Sequence, residues 1–208
     1  ARLYAGGELF LHIGVTLYET VLGFVLGTAA GTLIAVALWW SPALNRVLDP
    51  YLVVLNALPK IALGPILIVW FGAGITSIIV MALLISFVVT IMSVLAGFNE
   101  ITGEKQLLMK TLGASKLQIF TMVVLPASLP TIMNALKISV GMSWVGVIVG
   151  EYLVSKAGLG YLIVYGGQVF KLDLVMASIV VLCLLAALMY YGVAYMEKKL
   201  VKWRMHGG

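Results

Sequence analysis

Residues 99–130 read NEITGEKQLLMKTLGASKLQIFTMVVLPASLP. This is the one long polar interruption in an otherwise apolar chain, and it sets three lysines, Lys105, Lys110 and Lys116, between two hydrophobic blocks. Its capping residues predict two short helices meeting at a corner. Thr102 is placed to cap the first, and Glu104 in the opening turn suits the positive end of a helix dipole. Gly113 ends that helix, because glycine takes the left-handed C′ conformation at low cost. Ser115 opens the second, with Gln118 three residues on at capping-box spacing. Leu108 and Leu112, with Met109 beside them, form an apolar edge, while Lys105, Lys110 and Thr111 stay polar. Such an element is too short to span a bilayer and too apolar to stand free. It suits a place at the membrane face, docked into a partner. The competing reading is a plain basic loop between spans, set on one side by the positive-inside rule.

Outward from this stretch the chain is strongly apolar. Of 208 residues, 62% are hydrophobic and 10% charged, and the mean hydropathy is +1.13. That composition is a polytopic membrane protein. The single cysteine, Cys183, excludes an internal disulfide and a cysteine metal cluster. The net charge of +5 is spread too thinly for nucleic acid. The chain starts at Ala1, without a methionine or a cleavable signal pattern, so residues are expected to be missing upstream.

About five spans are expected in an all-α fold: 12–40, 51–71, 75–97, 122–150 and 174–196, forming one transmembrane domain over 1–208. A hydrocarbon core of ~30 Å needs ~20 helical residues, so the first span is long enough to tilt. Gly23, Gly27 and Gly31 recur every four residues on one face, a spacing for close helix packing. Glu19 either snorkels outward or faces a wet interior. Trp39 and Trp40 mark an interface, Ser41-Pro42 a stop, and residues 41–50 a short connector. In LPKIALGPILIVWFG, Pro59 and Pro65 each remove a backbone donor, so the second span must bend or break. Broken backbone at membrane depth belongs inside protein or beside a water-filled path. Asn56 and Lys60 flank the first break; Lys60 either snorkels or faces that path.

Pro126 and Pro130 are expected to kink the entry to the fourth span, which holds Lys137, Ser139, Ser143 and Trp144. A mid-span lysine costs ~2.5–3.5 kcal/mol to insert, so Lys137 should face the bundle interior, paired with Glu151 or Glu19, or else meet substrate. Residues 151–172 are glycine-rich and read as an outer loop with a re-entrant or interfacial turn. The ending EKKLVKWRMHGG is a basic stop favouring the cytoplasmic side. With the tail inside, Arg46 and the 99–121 segment are inside too. Eight lysines and arginines then lie inside, three outside (Arg2, Lys156, Lys171) and two embedded. This arrangement also leaves room for an extra upstream span.

The chemistry of the chain is narrow. There is no GxxxxGK[ST] loop for ATP, and His12 and His206 stand at opposite ends. No Ser, His and Asp set lies at plausible depth for hydrolysis. What remains is a polar-lined bundle with broken helices and a docking element, a conduit driven from elsewhere.

Three segments together resemble the transmembrane subunit of binding-protein-dependent ABC importers, in the nitrate, sulfonate and taurine subgroup. LGASKLQIFTMVVLPASLP, residues 112–130, is similar to the downstream half of the family's cytoplasmic signature through Gly113, Val123 or Val124, Leu125 and Pro126. LPKIALGPILIVWFG follows the subgroup's pattern at Pro59, Ala62, Pro65, Trp70, Phe71 and Gly72. WVGVIVGEYLVSKAGLGYLI follows it at Trp144, Glu151, Gly158 and Gly160. The likeness covers nearly the whole chain. In one respect the chain departs: the usual Glu-Ala-Ala upstream of the glycine is replaced by Leu107, Leu108 and Met109. Docking would then rest on apolar packing, with Lys105 or Lys110 at the rim.

The resemblance implies a type I importer permease with a cytoplasmic coupling helix in the inner membrane of a prokaryote. Two copies would pair around a central path, set in membrane lipid. Two cytoplasmic ATPases, carrying the ATP and Mg that this chain does not bind, would each receive one coupling helix. An extracytoplasmic binding protein would deliver substrate: a sulfonate, nitrate, bicarbonate or vitamin precursor. The coupling residues implied are Lys105, Leu107, Leu108, Met109, Lys110, Leu112, Gly113, Ala114 and Ser115. Candidates for the path are Asn56, Lys60, Lys137, Ser139, Ser143, Trp144 and Glu151. Such a subunit is not itself an enzyme. The rival classes are a secondary transporter, which would need paired ion sites in related halves, and a non-transporting scaffold.

Overall fold

A computed structural model of the chain describes residues 8–101 and 103–205, with side chains through residue 200. Thr102, the expected cap, lies outside the described residues, as do the side chains of the basic tail beyond 200. Every regular element among the described residues is helical. In chain order these are α1 (Glu8–Trp40), α2 (Pro42–Ala57), a 3-10 turn (Lys60–Leu63), α3 (Gly64–Phe71) and α4 (Ile75–Asn99). Then come α5 (Gly103–Thr111), α6 (Lys116–Ile119), a π-helical turn (Phe120–Val124), α7 (Leu125–Val154), α8 (Leu159–Gln168) and α9 (Leu172–Met205).

Among the described residues four stretches are long and apolar enough to cross a membrane: Glu8–Trp40, Ile75–Asn99, Lys116–Val154 and Leu172–Leu200. A fifth crossing is available from Pro42–Ala57 with Lys60–Phe71, a pair bent by 85°. The bend falls at Leu58-Pro59, where proline supplies no N–H and forces the residue before it into extended backbone (Leu58 φ −61, ψ 137).

α4 is the centre of the bundle, and small residues bring two neighbours close to it. On one side lie Gly23, Gly27 and Gly31 of α1. A Cβ at these positions would come within 2.8 Å of Ala82, 2.5 Å of Ser86 and 2.9 Å of Thr90. On the other side are Gly146 and Gly150 of α7, where added Cβ atoms would overlap the backbone of Ala82 and crowd Ile78. Lipid is as apolar as leucine, so helices in a bilayer associate by such close packing and not by escaping water. A larger core gathers at the α5–α6 end, where Leu38, Phe98, Ile119, Phe120, Val124 and Ile132 are buried together.

Residues 41–50 are not a connector. α2 starts at Pro42, directly after α1, because Ser41 caps it by accepting the N–H of Leu44 (3.3 Å) and proline suits the first helical turn. Its Pro50 sits inside the helix without ending it. At the entry to the expected fourth span, a π-helical turn at Phe120–Val124 precedes α7, which holds Pro126 in its first turn and runs on to Val154 with Pro130 inside it. Residues 159–168 within the expected outer loop are helical, and the basic tail continues α9 to Met205.

Candidate functional site

The corner between α5 and α6 is built from its local sequence. Gly113 takes φ +81, the left-handed conformation that glycine reaches without strain. Around it the N–H of Gly113 donates to the Lys110 carbonyl (3.0 Å) and that of Ala114 to the Met109 carbonyl (3.0 Å), closing α5 in a Schellman-type cap. Ser115 and Gln118 then cap α6 reciprocally. The Ser115 N–H donates to Gln118 Oε1 (2.7 Å), and the Gln118 N–H to Ser115 Oγ (3.3 Å).

This corner is fastened to the bundle from one side only. Met109 and Ala114 pack on the buried cluster around Phe98 and Phe120. Lys116 Nζ donates to the carbonyl of Trp40 (2.5 Å), the last residue of α1, and lies 5.6 Å from the ring centres of both Trp39 and Trp40. A cation there meets the negative end of the α1 dipole and two π faces at once. A cavity of about 410 Å³ opens beside it, lined by Trp39, Asn45, Asn99, Gln106 and Lys110. The opposite side of the corner carries Leu107, Leu108 and Leu112, which are 61%, 62% and 75% exposed. Lys105, Lys110, Gly113 and Ser115 are exposed with them. Met109 thus turns inward while its leucine neighbours turn out, so the apolar edge read from the sequence is split between two surfaces.

The path candidates fall in separate places. Asn56 and Lys60 stand at the 85° bend, where Lys60 Nζ donates to the Asn56 carbonyl (3.0 Å). Lys137 pairs with Glu197 of α9, at 3.0 and 3.2 Å from its two oxygens, and not with Glu151 or Glu19. Ser139 is buried against α4, its hydroxyl 2.7 Å from that of Thr90. Ser143 and Trp144 are also buried, and neither Ser143 Oγ nor Trp144 Nε1 meets a partner among the described residues.

Glu151 lies fourteen residues beyond Lys137, about 21 Å along the helix. It is buried at the end of the bundle away from the corner. Its carboxylate accepts from the Thr16 hydroxyl (2.6 Å) and the Gly160 N–H (2.5 Å), so it caps the start of α8. Thr16 Oγ1 in turn accepts the N–H of Leu159 (2.8 Å), and His12 Nδ1 accepts that of Gly158 (2.9 Å). Gly158 has φ +113, and a Cβ there would overlap the Glu151 carboxylate. Glu19 faces inward beside Glu151 and is fully buried, which excludes the outward, snorkelling reading.

Sequence reasoning missed the cluster formed by His12, Thr16 and Glu19. Its signal was there: spacings of four and three put the three residues on one helical face, opposite a glycine-rich turn already singled out. The partner of Lys137 and the bond from Lys116 to Trp40 had no local signal, since each joins residues far apart in sequence.

Known proteins sharpen the reading. The family described as "Binding-protein-dependent transport system inner membrane component" matches residues 23–202. The chain is 30% identical over 204 residues to the taurine transport system permease protein TauC of Escherichia coli (strain K12), spanning 98% of this chain and 74% of that one. It is 32% identical over 203 residues to the putative aliphatic sulfonates transport permease protein SsuC of Bacillus subtilis (strain 168), with the same coverage of 98% and 74%. Its fold is similar to a chain of the inward-facing MetNI methionine ABC transporter, with a TM-score of 0.74, 20% identity and coverage of 93% and 94%. The chain therefore belongs to the family of binding-protein-dependent transport system inner membrane components, and is a multi-pass inner-membrane permease subunit of an ABC importer.

Proposed function

We propose that the permease lines one half of a substrate path and takes its drive from cytoplasmic ATPase subunits that seat on α5 and α6. The observation that carries this reading is the asymmetry of the corner. One side is held by Met109, Ala114 and Lys116, while Leu107, Leu108 and Leu112 lie uncovered beside a rim of Lys105 and Lys110. Exposed leucines ringed by cations suit the apolar centre and polar rim of a protein interface. A rigid corner transmits force: motion of the seated ATPase passes through Lys116 to the end of α1, where α2 begins, and on to the bend at Pro59.

A second copy of the chain completes the path, and an extracytoplasmic binding protein delivers substrate to the end near Glu151. Asn56 and Lys60 at the bend, with Ser143 and Trp144 in α7, are the polar groups set aside for that path. The substrate class is a small anion or organic solute, with sulfonates first because the relatives are named for taurine and aliphatic sulfonates.

The test is co-expression with candidate ATPases, followed by reconstitution with a binding protein. ATPase subunits should co-purify, and hydrolysis should rise with loaded binding protein. Leu108→Glu should abolish that rise and leave membrane insertion intact. Uptake that follows an ion gradient without ATP would overturn the proposal.

A further inference from the structure

The N–H groups that open a helix have no carbonyl within it to donate to. At the start of α8 each of the first three is held by a side chain from another element. That of Gly158 donates to His12 Nδ1 (2.9 Å), that of Leu159 to Thr16 Oγ1 (2.8 Å) and that of Gly160 to Glu151 (2.5 Å). Two of these holders belong to α1, so the cap of α8 is also a tie between α1 and α8.

The three holders answer acid differently. A hydroxyl such as that of Thr16 does not titrate in this range. Glu151 lies carboxyl to carboxyl with Glu19, and the two are satisfied by a shared proton. His12 is the exposed member, only partly buried and stacked on Tyr161 with ring centres 5.9 Å apart. A backbone N–H can only donate, so the Nδ1 that meets it is bare. Protonating the ring turns that acceptor into a second donor, and two N–H groups then face each other. Imidazole is the ordinary side chain that makes this change between about pH 5 and 8. The other charged or phenolic groups around it are Glu8 on α1, Tyr152 on α7, Lys156 in the turn, and Tyr161 and Tyr165 on α8. Carboxylates, ammonium groups and phenols ordinarily titrate outside that range.

We propose that His12 is an acid-released latch: on taking up a proton it lets go of the Gly158 N–H and frees the start of α8 from α1. That this end is the substrate entrance rests on the reading above; the latch itself does not. A permease so built loosens its outer end when the medium on that side turns acid, with no change at the α5–α6 corner.

The test is hydrogen exchange on the permease with its ATPases in lipid nanodiscs, at about pH 7.5 and about pH 5.5, each amide corrected for its intrinsic rate. A freed imidazole titrating near pH ~6.5 multiplies opening about tenfold at the lower value and hardly at all at the upper. Protection of the Gly158, Leu159 and Gly160 amides should fall by about that factor, while the centre of α4 holds. His12→Asn offers an oxygen near the place of Nδ1 and cannot titrate, so its protection should be level with pH, whatever its value. Glu19→Gln replaces the shared proton by a neutral donor and should show the same fall as the parent. Protection in the parent that holds at the lower pH, a fall that survives His12→Asn, or a fall lost in Glu19→Gln would each overturn the latch. Failure of a binding protein to stimulate the ATPases would instead strike the transport reading, and the exchange result would still decide this one.

Discussion

The hydroxyl of Thr16 donates to the carboxylate of Glu151 across 2.6 Å, joining α1 to the end of α7 over 135 residues of sequence. The same carboxylate receives the Gly160 N–H, so one side chain fixes where α1, α7 and α8 meet. At the other end of α1, Lys116 fixes the α5–α6 corner to Trp40. α1 is thereby pinned at both ends, once to the proposed substrate entrance and once to the proposed drive.

The entrance pin makes Gly158 intolerant of any side chain. Gly158→Ala combines a strained φ with overlap on Glu151, whereas Gly141 has nothing within 4 Å of its Cβ position. Gly158→Ala should lower the melting temperature of the purified permease, and Gly141→Ala should leave it unchanged. Thr16→Val should cost about 1.5–3 kcal/mol, the usual loss for a bond to a charged group. Equal melting of all three variants and the parent would remove Glu151 as the organiser of this end.

Lys137 and Glu197 form a partly buried ion pair between α7 and α9. Removing one partner strands the other charge, a loss of about 3–5 kcal/mol for a fully buried pair and less here. Lys137→Met should therefore destabilise the protein, and Lys137→Met with Glu197→Leu should recover most of the loss. Thermal unfolding of the two variants measures this. If the double change also restores uptake, Lys137 is a packing group and not a contact for substrate.

How much of this was legible beforehand follows from the range of each interaction. The α5–α6 corner was readable in detail because its caps are local: Gly113, Ser115 and Gln118 lie within five residues of one another, and each adopts the expected geometry. The glycine ridge of α1 was readable as a packing face, since periodicity alone marks it, although its partners in α4 were not. The helical character of residues 42–50 was missed. Pro42, Asn45, Arg46, Asp49 and Pro50 together look like a connector, yet Ser41 and Pro42 open a helix. The cluster around Glu151 was half legible: Glu151, Gly158 and Gly160 stood out, while Thr16 and Glu19 come from the far end of the chain.

Lys116 should prove to be a joint and not a solubilising charge. Lys116→Met removes the bond to the Trp40 carbonyl and the contacts to two indole rings, on the order of 1–2 kcal/mol in all. In the reconstituted transporter, uptake per ATP hydrolysed should fall several-fold while hydrolysis continues, and Lys116→Arg should restore part of it. Unchanged uptake per ATP in Lys116→Met would show that force does not pass through this contact.

The position of the exposed leucines decides the account most directly. Cys183 is the chain's single cysteine, so Leu108→Cys in a Cys183→Ser background carries one reactive thiol at the proposed docking face. With a short thiol-reactive crosslinker in the assembled complex, that thiol should join the ATPase subunit, and nucleotide should change the yield. A thiol at this position that reaches no ATPase, and that reacts with a membrane-impermeant reagent from the outer side, would contradict the account.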